Sequence, residues 1–293
     1  MAVTSLVMVT APTGAETLTG SGYEAADPDQ AQLRVTDLSA TRGDGVFETI
    51  GVMDGHAQSL TSHLDRLAAS AAILDLPRPR LDVWRAAVEH AVDRADPAAE
   101  LSAKLVLSRG EEGSGRCTGW VRVSPAPDMS RARAEGVRVL TLDRGYRSDV
   151  AETAPWLLQG AKYTSYAVNM AALRYARRHG ADDVIFVSSD GAVLEGPTAS
   201  VLLRVGDTLV TPGTDQSILL GTTQDRAFRY AESVGLATQA RRVEAAELAT
   251  AEHLWLCSSV RLCAAVRELD GRELPWDRRL TADLLSWLRT THD

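Results

Sequence analysis

The sequence predicts an α+β protein of two domains. Three observations carry this. The 293-residue length suits about two domains. Strand-like and helix-like runs are mixed without regular βαβ alternation. A Pro-containing polar stretch, 125–136, breaks the chain in its middle. The expected division is a smaller N-terminal α+β domain over 1–124, a linker over 125–136, and a larger C-terminal domain over 137–293.

The elements follow in order. The first 30 residues, rich in Ala, Thr and Gly, read as a loosely held lead-in, and Leu33 to Val35 as a short strand. Gly45 to Val52 reads as a strand that ends at the Met53–His56 turn. Leu60, Leu64, Leu67, Ala71 and Leu74 form one helical stripe, and the helix stops before Pro77. A second helix runs from Leu81 to Arg94, before Asp96-Pro97. AKLVLSRG and WVRVSP form a strand pair around the loop Gly110–Gly119. After the break comes a strand, Val137–Leu142, then a helix from Tyr166 to His179 stopped by Gly180. VIFVSS, AVLEG, VLLRV and TLVTP read as strands between Asp-Gly and Gly-Asp turns. A helix from Thr223 to Val234, late strands HLWLCSSV and AAVRELDG, and a closing helix, Leu280 to Arg289, complete the chain.

Composition removes several classes of function. Lys+Arg is 31 against Asp+Glu 39, a formal charge of −8. An acidic chain lacks the broad basic face that replaces phosphate counterions, so nucleic acid is not the expected partner. Cys117, Cys257 and Cys263 form no CxxC pair and no His/Cys cluster with metal-ligand spacing, which points to a reducing, cytoplasmic home and to no metal. The N-terminus has no basic n-region, and no apolar run reaches the roughly 20 residues that span a bilayer. There is no P-loop, no GxGxxG after a strand, no HExxH and no GxSxG. These gaps point to chemistry supplied by a borrowed cofactor.

Four segments could carry such chemistry. Lys162 in LLQGAKYTSYA is either a surface lysine at a helix start or an amine nucleophile tuned by apolar neighbours. The chain has two lysines, Lys104 and Lys162, and 29 arginines, so arginine is its ordinary surface cation. Glu195 ends AVLEG as a solvated turn residue or as the partner of a cationic nitrogen. Gly221-Thr222-Thr223 precedes a helix, as an ordinary cap or an anion site built on N–H groups and hydroxyls. Arg66, on the amphipathic helix beside Leu64 and Leu67, either snorkels to water or binds a phosphate through its fork of donors.

Five segments in order resemble the fold-type IV pyridoxal-phosphate enzymes: RGDGVFETIGVMDG, SLTSHLDRLAASAAILDLP, GAKYTSYAVNMAALRYARRHGADDVIFVSSDGAVLEGPTASVLL, LLGTTQDRAF and LCSSVRLCAAVRELDG. They run from Thr41 to Gly271. That family contains branched-chain and D-amino-acid aminotransferases and aminodeoxychorismate lyases. The resemblance implies pyridoxal 5'-phosphate as cofactor, with 137–293 as the cofactor-binding domain. Lys162 would be its covalent attachment point and Glu195 the partner of the pyridine nitrogen. Arg66, Gly221, Thr222, Thr223 and Ser259 would serve the phosphate, and Tyr166 the ring hydroxyl, with Tyr163 as competitor. Gln224 stands where some relatives carry Arg. RGDGVFETI and HLDRLAASAAILDLP look closest to the 4-amino-4-deoxychorismate lyase branch, which releases pyruvate and 4-aminobenzoate for folate synthesis. The alternatives are a D-amino-acid or branched-chain aminotransferase and, more distantly, a non-catalytic cofactor-binding protein. The substrate is a small amino compound, and Arg42, Phe47, Arg109 and Arg261 are candidates for its contacts. The resemblance also implies a homodimer.

Overall fold

The computed structural model describes residues 4–96 and 100–291, so Pro97 of the Asp96-Pro97 stop lies outside the described residues. Two compact units emerge. One runs to Pro127 and includes Ala161–Tyr166; the other comprises Asp128–Gly160 and Ala167–Thr291.

The first unit holds β1 (Ser5–Val9), β2 (Tyr23–Ala26), α1 (Leu38–Thr41), β3 (Gly45–Met53), β4 (His56–Ala57), α2 (Leu60–Ile73), α3 (Leu81–Asp93), β5 (Leu101–Ser108) and β6 (Thr118–Pro125). Its sheet is antiparallel, in the order β2-β1-β6-β5-β3-β4. Asp54 and Gly55 both have positive φ at the tip of the β3–β4 hairpin, the backbone that an Asp-Gly pair supplies. Strand alternation sorts the faces. One face carries Val46, Glu48, Ile50, Leu105, Leu107, Val121 and Val7 towards α2 and α3. There they meet Leu64, Leu67 and Trp84, all fully buried.

Two expectations fail here. The lead-in contains β1, whose apolar SLVMV inserts between β2 and β6 and is mostly buried. Leu33 to Val35 forms no strand, and both of these apolar side chains are exposed.

The second unit holds α4 (Ser130–Glu135), β7 (Val137–Asp143), α5 (Val150–Thr153), α6 (Ala167–Arg178), β8 (Asp183–Val187), β9 (Ser200–Val205), β10 (Thr208–Pro212), α7 (Thr222–Ser233), β11 (Ala237–Arg241), α8 (Ala245–Leu248), β12 (His253–Ser258), β13 (Leu262–Leu269), β14 (Arg272–Glu273) and α9 (Arg278–Thr290). Its mixed sheet runs β11-β10-β9-β12-β13-β7-β8, with β14 on β13. The β10–β11, β13–β7 and β7–β8 pairs are parallel.

Both faces of this sheet are covered. Val137, Val139 and Ile185 join one buried cluster with Val201, Leu203, Leu254 and Leu256. Their alternates Leu140, Leu142, Val184 and Phe186 join Ala172 and Ala176 of α6 in another. The expected AVLEG strand is reduced to isolated bridges at Ala192 and Val193, because the chain turns through Gly196 before β9 begins. The expected linker contains α4, whose Arg133 is buried. The edge strand β11 went unread, since ATQAR shows no apolar alternation.

Among the described residues no helix is long and apolar enough to cross a membrane. No group of His, Cys, Asp and Glu among them could hold a metal ion. All three cysteines are free thiols.

Candidate active site

In the first unit, residues 161–166 lie along the edge of β3. Phe47 N donates to Lys162 O at 2.9 Å and Thr164 N to Gly45 O at 2.8 Å, with Val46 and Tyr163 paired antiparallel. Lys162 N donates to the buried hydroxyl of Ser70 on α2 at 3.0 Å. The lysine backbone is thus fixed from a strand and from a helix. Its half-buried side chain turns to the β3 face that carries Phe47, and Nζ lies 4.6 Å from that ring's centroid. Tyr166 meets Phe47 edge-on, with centroids 5.1 Å apart, and its ring is 5.7 Å from Lys162 Nζ. Lys162, Phe47 and Tyr166 are therefore brought together. Tyr163, opposite Val46, alternates to the other face.

Arg66 lies on the α2 side of the same sheet. Its Nε and Nη2 donate to Glu48 Oε1 and Oε2, both at 2.7 Å. His63 Nδ1 sits 2.7 Å from Glu48 Oε2. Glu48 and His63 are both almost wholly buried. Burial alone would raise the Glu48 pKa, but the Arg66 charge and the hydrogen bonds from Arg66 and His63 hold it at about 2. Burial drives the His63 pKa down, outweighing the pull of Glu48. With Glu48 ionised, a neutral His63 donates from Nδ1. Sequence reasoning missed Glu48 and His63. The available signal was a carboxylate inside the otherwise apolar GVFETIGV, with His and Arg three apart on the facing helix.

Two candidate arginines of this unit do not join Lys162. Arg109 is tied to Asp44 (Nε to Oδ2, 2.7 Å) and to Leu74 O (2.6 Å). Arg42 is exposed at the end of α1.

The second unit collects a different set. Gly221 is the N-cap of α7 and brings no capping side chain. A Cβ there would run into Ser200 Oγ. Thr222 and Thr223, both buried, open the helix, and Thr222 Oγ1 lies 3.4 Å from Ser259 Oγ. Glu195 is half-buried, and its Oε2 accepts from Leu219 N at 3.4 Å. Ser259 sits in the turn between β12 and β13. Arg133 braces that turn, donating Nε to Arg261 O at 3.0 Å and Nη2 to Val260 O at 2.8 Å. Arg261 itself is paired through Nη2 with the buried Asp183.

The chain thus gathers Lys162, Phe47 and Tyr166 in its first unit, and the start of α7 with Ser259 in its second. The class IV amino-transferase family matches residues 45–269, and the chain belongs to it. It is 47% identical over 262 residues to a bifunctional aminodeoxychorismate lyase / D-amino acid transaminase of Mycobacterium tuberculosis, covering 86% of this chain and 91% of that one. A fold IV-transaminase from Curtobacterium pusillum superposes with a TM-score of 0.94 at 55% identity, covering 98% and 97% of the two chains. A hypothetical aminotransferase of M. tuberculosis in its PLP-bound form gives 0.89 at 42% identity, covering 98% and 99%.

Proposed function

We propose that this chain is a pyridoxal-phosphate enzyme whose main reaction is that of a 4-amino-4-deoxychorismate lyase, releasing pyruvate and 4-aminobenzoate. The observation that carries it is the 47% identity, over most of both chains, to the bifunctional mycobacterial lyase/transaminase. D-amino-acid transamination is the second reading, favoured by the other half of that relative's name and by the fold IV-transaminase likeness. A homodimer and a cytoplasmic home belong to the same proposal.

The residues present fit the cofactor. The backbone at Gly221 is bare because Ser200 fills the place of a side chain, which suits close approach of a phosphate to the first N–H groups of α7. The hydroxyls of Thr222, Thr223 and Ser259 add donors of the right kind. When bound, pyridoxal phosphate supplies an aldehyde that captures amines and a ring that accepts electrons.

The chain's own residues would do the rest. Lys162 would hold the cofactor through its side-chain amine, and its Nζ would move the proton at the substrate Cα. Glu195 would favour a proton on the pyridine nitrogen. Tyr166, whose ring is beside Lys162 Nζ, would be the phenol for the ring hydroxyl. Arg66 gives its Nε/Nη2 edge to Glu48, so any phosphate contact is made through its other edge.

The test uses purified, cofactor-loaded protein with 4-amino-4-deoxychorismate and no oxo acid. Equimolar 4-aminobenzoate and pyruvate establish the lyase. Absence of both, with D-alanine converting the cofactor to its amine form, establishes the transaminase instead. A Lys162→Ala variant with full activity would refute the assignment of that lysine.

A further inference from the structure

The face of the first unit's sheet turned away from α2 and α3 is not apolar throughout. Register places Phe47, Val106, Trp120 and Met8 in one cross-strand row, and Thr49, Lys104, Arg122 and Leu6 in the next. Lys104 and Arg122 are therefore directly opposed on β5 and β6, and both are exposed. Like charges placed opposite each other weaken a sheet. Among the described residues neither forms an ion pair with an acidic side chain.

The second observation is where this pair sits. Lys104 Nζ lies 5.3 Å from the centroid of the Phe47 ring, the same ring that Lys162 Nζ approaches at 4.6 Å. The chain has two lysines among 31 basic residues, and both meet on one phenyl ring. A third cation, Arg122, faces Lys104 across the ladder. The side-chain carboxylate of a substrate would relieve the repulsion between Lys104 and Arg122.

We propose that Lys104 and Arg122 form a carboxylate-recognition site beside Lys162, selecting amino or oxo substrates that carry a second carboxylate. This rests on the reading of Lys162 as the reacting amine. It adds what that reading leaves open, namely which end of the substrate is recognised and by what. The lyase substrate proposed above, with two carboxylates, falls in this class, as do acidic amino acids.

The test is a calorimetric titration of the protein as isolated with glutarate, which has two carboxylates, and with butyrate, which has one. We expect a preference for glutarate of about tenfold. It falls to about twofold or less in Lys104→Met and in Arg122→Met, and returns in Lys104→Arg. Thermal unfolding gives an independent readout. Each Met variant removes a like-charge opposition and should melt at or above the native temperature, whereas loss of a merely structural residue would lower it.

Equal binding of the two acids by the native protein overturns the proposal. So does a preference that survives both substitutions. Loss in only one variant assigns the carboxylate to that cation alone and overturns the pairing. Neither acid carries an amine, so failure of the Lys162 reading shows in the product assays and leaves these titrations interpretable.

Discussion

Glu48 and Arg66 are joined by a two-pronged ion pair, both prongs at 2.7 Å, with the carboxylate fully buried beneath the helix that carries the arginine. His63 completes the arrangement from the same helix. Removing one member of a buried pair leaves the other charge uncompensated. Glu48→Ala should therefore cost about 3–5 kcal/mol, read by chemical denaturation. A loss below about 1 kcal/mol would show that water reaches Arg66.

The same cluster sets an acid limit on stability. Glu48 has its folded pKa depressed from 4.5 to about 2, so its contribution is complete above 4.5 and is lost as pH falls from 4.5 towards 2. The shift corresponds to about 3 kcal/mol. His63 is also depressed from 6.5, so the unfolded chain takes up its proton first. Stability should begin to decline below pH 6.5 and fall more steeply below 4.5. A Glu48→Gln protein should show a shallower limb below 4.5, the remainder belonging to other depressed carboxylates such as Asp37 and Asp182; an unchanged profile in that variant would contradict the assignment.

Ser70 accepts the backbone N–H of Lys162 from a buried position. Ser70→Ala leaves that donor without this partner, at a cost of about 1–3 kcal/mol. The larger effect should fall on turnover, by about tenfold, because displacement of a reacting amine is expensive even when small. Steady-state kinetics with kcat and KM measured separately decides it, and a change confined to KM would argue against this role.

Lys162 and Arg66 were legible in the sequence for different reasons. A lysine is conspicuous in a chain that otherwise uses arginine, and Arg66 stands beside Leu64 and Leu67 on a clearly amphipathic helix. Glu48 was not legible, because its meaning depends on α2 folding over β3 to bring His63 and Arg66 to one carboxylate. Arg133 was hidden by the polar run around it, and only the return of β12–β13 gives it carbonyls to bind. Strand β1 was masked by the Thr/Gly-rich residues after it, although SLVMV itself is apolar. Local pattern exposed individual residues and helices; pairings across long sequence separations were not readable from it.

Gly221→Ala should weaken cofactor retention, since the added methyl meets Ser200 Oγ and pushes on the start of α7. Backbone strain is not the cause, because φ at Gly221 is −81°. Adding Ser200→Ala removes the struck hydroxyl and should recover part of the affinity. Equilibrium dialysis of the cofactor against both variants is the measurement, and equal retention by Gly221→Ala and the native protein would disprove the steric account.

Arg133→Met should loosen the turn that presents Ser259, by stripping donors from Val260 O and Arg261 O. The expected cost is about 1–3 kcal/mol per orphaned carbonyl. Cofactor binding should fall as well, and the effect of Ser259→Ala should shrink in the Arg133→Met background. Full additivity of the two substitutions would mean that Arg133 does not act through Ser259.

The strip 161–166 has a consequence for how the chain is made. Its lysine is held by Ser70, 92 residues earlier. An emerging polypeptide can assemble β1 to β6 with α2 and α3 while the edge of β3 at Gly45–Phe47 still awaits this strip. Closing so long a loop costs entropy that grows slowly with its length, so this docking belongs late in synthesis. The amine reaches its aromatic seat only after the helix and strand that hold it exist, and a nascent chain arrested before residue 161 would carry the receptor without Lys162.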